Sequence, residues 1–229
     1  MKQLVIALLL VAQVGFSQKK STRNVGDFTV VKAFDKISVQ LIQGTETKVE
    51  LSGDRSDEVE LVNKNGELKI RMPLKGLLKG EEVTAIVYFK RLEGVEASEG
   101  AYVSSPAVLN ALDFNVNAKE GAEIRLTLDT KRATVKSSSG AMVRLSGKAQ
   151  NQDIVVSGGG TVKASALEGE QTVVVVNAGG EADVTASELV DAKTRAGGNI
   201  TIYGNPRQIN QKTVAGGNIR QHNLPKNGN

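Results

Sequence analysis

Few residues in this chain are of types that could carry chemistry. It has one histidine, His222, close to the C-terminus, and no cysteine. Without a thiol there can be no thiolate nucleophile, no disulfide framework and no cysteine-ligated metal. A zinc site would need carboxylates beside that single imidazole, and a Ser-His-Asp triad would have to recruit it from a polar tail. The run VSGGGTVKAS at residues 156–165 shares only its glycines with a phosphate loop. It lacks the G-x-x-x-x-G-K-[ST] spacing, and no helix follows it to direct a dipole at a phosphate. Ser137–Ser139 stand directly before Gly140 and read, like those glycines, as part of a structural corner. The sequence therefore gives no catalytic, cofactor-binding or metal-ligating residue and no cofactor, and the chain reads as a non-enzyme. One arrangement of charge remains. Arg125, Arg144, Lys163 and Asp183 recur at matching places in successive segments. Such a column could hold an anionic sugar or a calcium-bridged ligand, or it could be a solvated face. Sugar grooves usually stack rings on aromatics, and only Tyr102, Phe114 and Tyr203 are available there.

What positions that column is an internal repeat. The segments SEGAYVSS, KEGAEIRL, SSGAMVRL, SGGGTVKA, NAGGEADV, RAGGNITI and VAGGNIRQ align on Gly100, Gly121, Gly140, Gly159, Gly179, Gly197 and Gly216, spaced 18 to 21 residues apart. The next residue is always Ala or Gly. The third residue after the glycine is always apolar: Val103, Ile124, Val143, Val162, Ala182, Ile200 and Ile219. The fifth is apolar in all but the terminal copies. Mostly polar residues such as Arg125, Arg144, Lys163, Asp183 and Thr201 lie between them, which is the period-two pattern of a strand with one buried face. Upstream of each glycine the same alternation returns, as in Val116 and Ala118 or Val174 and Val176.

Each period thus holds two short strands joined across a glycine corner, with a second turn closing the coil. Propeller blades are about twice this period, and the leucine-rich scaffold is absent. The expected fold is all-β: a parallel β-helix, or solenoid, of about seven coils over residues 91–220, a rod on the order of 30 Å long. In this reading a side chain on the corner glycine would collide with its copies above and below.

Residues 28–90 differ in texture. KISVQLIQG, TKVELSG and DEVELVNKNGELKIRM alternate over longer stretches, and Asn65-Gly66 marks a hairpin. These strands are expected to cap the solenoid's open end or form a small antiparallel sheet on it, because a terminal coil exposes unpaired backbone. A polar tail at 221–229 completes the chain.

At the N-terminus, Lys2 precedes an apolar run at residues 4–16, and GFS places small residues before Gln18. This is the layout of a signal peptide over residues 1–17, too short to span a bilayer in the ordinary way, followed by a short linker at 18–27. The chain is expected to be exported to the periplasm, the cell surface or the medium, with no transmembrane segment in its mature form and no cysteine for a lipid anchor. The formal charge of +4 is dispersed and aromatics make up 3% of residues, which argues against nucleic acid as a partner.

The strand FDKISVQL at 34–41, the hairpin, VTAIVYFKRLEGVEASEGA at 83–101 and the glycine rungs ending in GGNI together resemble the bacterial GIN-domain family, over roughly residues 28–220. The resemblance implies an envelope or surface protein with a parallel β-helical body, proposed for that family to be an adhesin head domain, and it carries over no catalytic residue. The expected function is adhesion, surface binding or a structural role, with a surface glycan or another envelope protein as partner. Two alternatives stand beside it. One is a polysaccharide-active β-helix enzyme, which would need clustered carboxylates in a groove. The other is a small-molecule or lipid-binding module, with its pocket between the 28–90 strands and the first coils.

Overall fold

The structure is a computed structural model and describes residues 20–222; the signal-peptide segment lies outside the described residues. Among these the chain is built from eighteen strands and a 3-10 turn at Leu74–Gly76, with no α-helix. The N-terminal strands are β1 (Lys20–Asn24), β2 (Val30–Ala33), β3 (Ser38–Gln43), β4 (Lys48–Ser52), β5 (Glu60–Lys64), β6 (Glu67–Arg71), β7 (Thr84–Phe89) and β8 (Gly94–Ala97). Three long strands follow, β9 (Tyr102–Ala118), β10 (Glu123–Ser138) and β11 (Met142–Ser157). The last are β12 (Thr161–Glu168), β13 (Gln171–Asn177), β14 (Glu181–Thr185), β15 (Leu189–Arg195), β16 (Asn199–Tyr203), β17 (Gln208–Val214) and β18 (Asn218–Gln221).

From β8 to β18 each strand pairs in parallel with its equivalent one coil on, so the solenoid reading holds with about seven turns. Alternation produces the core. Ile124, Val143, Val162, Ala182, Ile200 and Ile219 form one inward column by direct register. Val116, Val135, Ile154, Val174 and Ala192 form another. All of these are buried except Ile219, which is partly buried. Within these two columns each side chain therefore rests on apolar neighbours in the adjoining coils, and the backbone groups between them are paired coil to coil.

Uneven steps in the glycine ladder have local causes. The 21-residue step is absorbed by Ser105–Ala107 bulging opposite Leu126, where Pro106 has no ladder hydrogen bond to lose. The 20-residue step is absorbed by Ala164 and Ser165 opposite Leu145.

The corners correct the reason given for the glycines. Each corner consists of two left-handed residues, for example Ala178 at φ 51° and Gly179 at φ 79°. A Cβ built on Gly179 would meet nothing within 4 Å. That glycine is required by its backbone angle, with no stacking collision involved. The collision occurs one residue later. A Cβ on Gly180 would come within 2.6 Å of the Gly160 carbonyl, and one on Gly198 would overlap the Val176 Cγ1 methyl in the preceding coil.

Residues 28–90 both cap the rod and extend it. Asn65-Gly66 makes the expected tight hairpin between antiparallel β5 and β6, with φ of 55° and 77°. β1, β4 and β7 form an antiparallel set. β2 and β3, however, pair in parallel with β8 and β9 on one side and with β6 and β7 on the other. The first coil in sequence is thus sandwiched between two later ones. Its corner is Asp35-Lys36, left-handed at φ 59° and 63° without a glycine. Ile37, Val39 and Leu41 occupy the inward positions that Ala101, Val103 and their equivalents fill elsewhere.

Candidate binding groove

The charged column forms as its spacing implied: Arg125 registers on Arg144, Arg144 on Lys163, and Lys163 on Asp183. Its charges are engaged within the column. Glu123 pairs with Arg125 at 3.6 Å and with Arg144 at 3.2 Å, while Lys163 pairs with Glu181 at 2.7 Å and Asp183 at 3.0 Å. Burial would lower the affinity of the Lys163 amine for its proton, but hydrogen bonds and charge from Glu181 and Asp183 outweigh it and hold the group above the usual lysine range. A ligand here would have to displace these partners.

A concave groove lies elsewhere, along the second corner. Its cavity volume is about 680 Å3, and its lining runs from Ala111 and Leu112 through Asp129–Lys131, Lys148 and Gln150, Glu168–Glu170 and Thr185–Ser187 to Gly204. It crosses successive coils along the rod axis, about 24 Å at the strand spacing. The concavity follows from a shortened coil. Val162 and Thr172 are ten positions apart, whereas their register partners Ala182 and Val190 are eight apart. Two residues are missing from that side of the coil and the wall recedes.

The floor is pinned by a residue that the sequence pattern did not single out. Gln152 is 1% exposed and occupies the inward column of Ala133 and Thr172. Its Nε2 donates to the carbonyls of Leu167 at 3.0 Å and Thr185 at 3.2 Å, which flank the recess. Its Oε1 has no hydrogen-bond partner among the described residues, and Gly169 packs so closely over the amide that a Cβ would overlap it. A long polar side chain at an inward position was the available signal.

Asp129, Lys148 and Glu168 stand in register on three successive coils. None of them, nor Lys131, makes an ion pair among the described residues, and Glu170 receives a hydrogen bond from Gln150 at 3.2 Å. Unlike the paired column, this row of charges is open to an incoming ligand.

The other segments singled out in the sequence take the following places. Gly158–Gly160 are a solenoid corner, with the Gly158 N–H bonded to the Asn177 carbonyl on the next coil. Ser137 points inward and donates to the Ala141 carbonyl at 2.9 Å, so it is structural. His222 bonds through its N–H to the Ile202 carbonyl, and its ring lies 4.9 Å from that of Tyr203. Among the described residues no group of three His, Asp or Glu side chains is placed to hold a metal ion. No helix there is long and apolar enough to cross a membrane.

A second cavity of about 670 Å3 opens where the capping strands meet the first coils, beside Phe34, Met72, Leu77 and Glu99. Asp35, 1% exposed, organises it. Its carboxylate accepts the N–H of Met72 and the N–H of Leu78, each at 2.9 Å, and so fixes both ends of the loop that replaces a corner in the outermost coil. Burial, together with the nearby charges of Asp35 and Glu120, raises the Glu99 carboxyl above the usual glutamate range.

Several solved structures share this architecture. A Bacteroides fragilis protein named a "putative adhesin" is 22% identical, with a TM-score of 0.80 and coverage of 90% of this chain and 98% of its own. A Parabacteroides distasonis protein of the same description is 18% identical, with a TM-score of 0.72 over 89% and 96% of the two chains. Another protein from that organism, named a "putative lipid binding protein", is 14% identical, with a TM-score of 0.68 over 91% and 98%. At these identities the likeness speaks for the fold. No curated protein matches the chain. The model of one family spans residues 27–206, and the chain belongs to that family, described as "Putative auto-transporter adhesin, head GIN domain".

Proposed function

We propose that this chain is an exported, non-enzymatic envelope protein whose rigid solenoid binds an extended polar polymer, a surface glycan, along the second-corner groove. The observation that carries the reading is the contrast between the two charged rows. Arg125, Arg144, Lys163 and Asp183 are neutralised within their column, whereas Lys131, Lys148, Asp129 and Glu168 line a concave track with no ion-pair partners among the described residues. Such a track offers hydrogen bonds and charge without first breaking internal pairs. A track about 24 Å long suits several units of a linear chain. The adhesin names of the family and of its solved relatives agree with a surface-binding role.

The test is a glycan array probed with residues 18–229 and with the Lys131→Ser/Lys148→Glu double variant. Loss of the bound glycans by the variant, with its circular dichroism unchanged, supports the groove. Equal binding by both proteins sinks it.

One feature favours the polysaccharide-enzyme alternative. Asp129 and Glu168 lie two coils apart, about 10 Å, close to the separation used by inverting glycosidases. Release of reducing ends from an array-positive glycan, abolished by Glu168→Gln, would move the assignment to that class.

A further inference from the structure

The cavity at the capped end combines an uncovered apolar surface with two unpaired cations. Phe34 is half-buried at its edge, and Met72 and Pro73 form part of its lining. At the mouth, Leu74 and Leu77 are 87% and 49% exposed. Isolated exposed leucines are common on soluble proteins. Here two of them belong to a cavity that also presents the half-buried Phe34 ring and Pro73, above the buried Met72.

The loop carrying these leucines is held firmly. Besides the Asp35 carboxylate bonds to Met72 and Leu78, the Gly80 N–H donates to the Asp35 carbonyl at 3.0 Å and the Gly76 N–H to the Pro73 carbonyl at 2.7 Å. The backbone that carries the leucines is therefore held in place, a pre-organisation that lowers the cost of binding.

The surrounding charges sort into engaged and free. Arg71 pairs with Glu60 at 2.9 Å and Glu58 pairs with Arg55, while Asp35 is committed to the loop backbone. Lys69 and Lys75, both lining the cavity, have no ion pair among the described residues. The Glu99 carboxyl lies on the same lining beside Asp35, away from Lys75 on the loop. An entering anion thus meets two ammonium groups without ion-pair partners beside an apolar wall, and must seat its charge on their side of the cavity, away from Asp35 and Glu99.

We propose that this cavity is a binding site for a single-chain anionic amphiphile of the fatty-acid class, with its acyl chain against Phe34, Pro73, Leu74 and Leu77 and its carboxylate at Lys69 and Lys75. A volume of about 670 Å3 falls within the range of small-molecule sites, roughly 300–1,000 Å3. The site is separate from the second-corner groove and does not depend on the glycan reading.

The test uses residues 18–229 and a dansyl-labelled undecanoic acid, read by fluorescence enhancement and by its displacement with lauric acid. Saturable binding displaced by lauric acid is expected. Leu77→Asp, at an exposed position, should weaken it by at least about tenfold. Lys69→Glu combined with Lys75→Glu should weaken lauric acid by at least about tenfold while leaving dodecanol, which has the same chain and no charge, within about twofold. Lys148→Glu in the groove should change neither. The proposal is overturned by an absence of saturable binding, by full binding in the Leu77→Asp variant, or by association only with phosphatidylglycerol vesicles and none with the monomeric acid.

Discussion

The Lys36 N–H donates to the Glu99 carbonyl at 2.9 Å, so a corner without glycine rests directly on the first corner that has one. Lys36 and Gly100 hold equivalent left-handed positions, φ 63° and 74°. The rule at these corners is a backbone rule, met by glycine in most coils and by a lysine in one, where the strain is on the order of 1 kcal/mol.

Two alanine substitutions separate the backbone requirement from the steric one. Gly179→Ala faces only an unfavourable φ and should cost about 1 kcal/mol. Gly198→Ala must also displace the Val176 side chain and should cost about 3 kcal/mol. Urea unfolding of both variants checks this, and equal losses would contradict the one-residue offset.

Asp35→Ala removes the acceptor of two loop N–H groups and leaves them unsatisfied at the rod end. A loss of about 3 kcal/mol is expected. Trypsin should also cut faster at Lys75 and Lys79, because the loop is no longer held at both ends. An unchanged cleavage rate would remove Asp35 from this role.

Glu99 supplies a pH signature. Its carboxyl is raised in the folded protein, first by burial and then by the charges of Asp35 and Glu120. The folded state therefore binds this proton more tightly than the unfolded chain. The group's contribution to stability is greatest below the ordinary glutamate value and is lost as pH rises through the raised folded value. Glu99→Gln should raise Tm at pH 7 by about 2 °C and should lose that advantage near pH 4. A constant offset at both pH values would mean that the carboxylate charge is not responsible.

Arg144→Ala breaks only the exposed bond to Glu123 at 3.2 Å. The stability change should stay within about 0.5 kcal/mol and shrink further in 0.5 M salt. A loss above about 2 kcal/mol would show that the column bears load beyond surface pairing.

The repeating part of this fold was readable because stacking forces each coil to solve the same problem. Ile124, Val143 and Val162 recur in sequence because they touch in space. The hairpin at Asn65-Gly66 was readable for a local reason, its two positive φ angles. The coil around Asp35-Lys36 was missed as a coil because it has no glycine and is separated from its neighbour at Gly100 by a long excursion. Its inward residues Ile37, Val39 and Leu41 nonetheless match the ladder. The groove was not readable. The 18-residue step after Gly179 announces a shorter coil, but only the strand register reveals which side was shortened. Gln152 and the buried carboxylate of Asp35 act through backbone groups remote in sequence, and no local pattern encodes such partners.

The sandwiched position of β2 and β3 sets an order of assembly. Glycine coils such as those around Val162 and Ile200 need only their sequence neighbours, so they close short loops and can nucleate early. Val31 and Leu41 cannot be enclosed until β6–β7 and β8–β9 have both been delivered from later in the chain. Contacts across such separations form slowly. Pulsed hydrogen exchange during refolding should protect the amides of Val162 and Val174 before those of Val31 and Leu41. For a chain that emerges N-terminus first, the earliest coil made would then be among the last to lock.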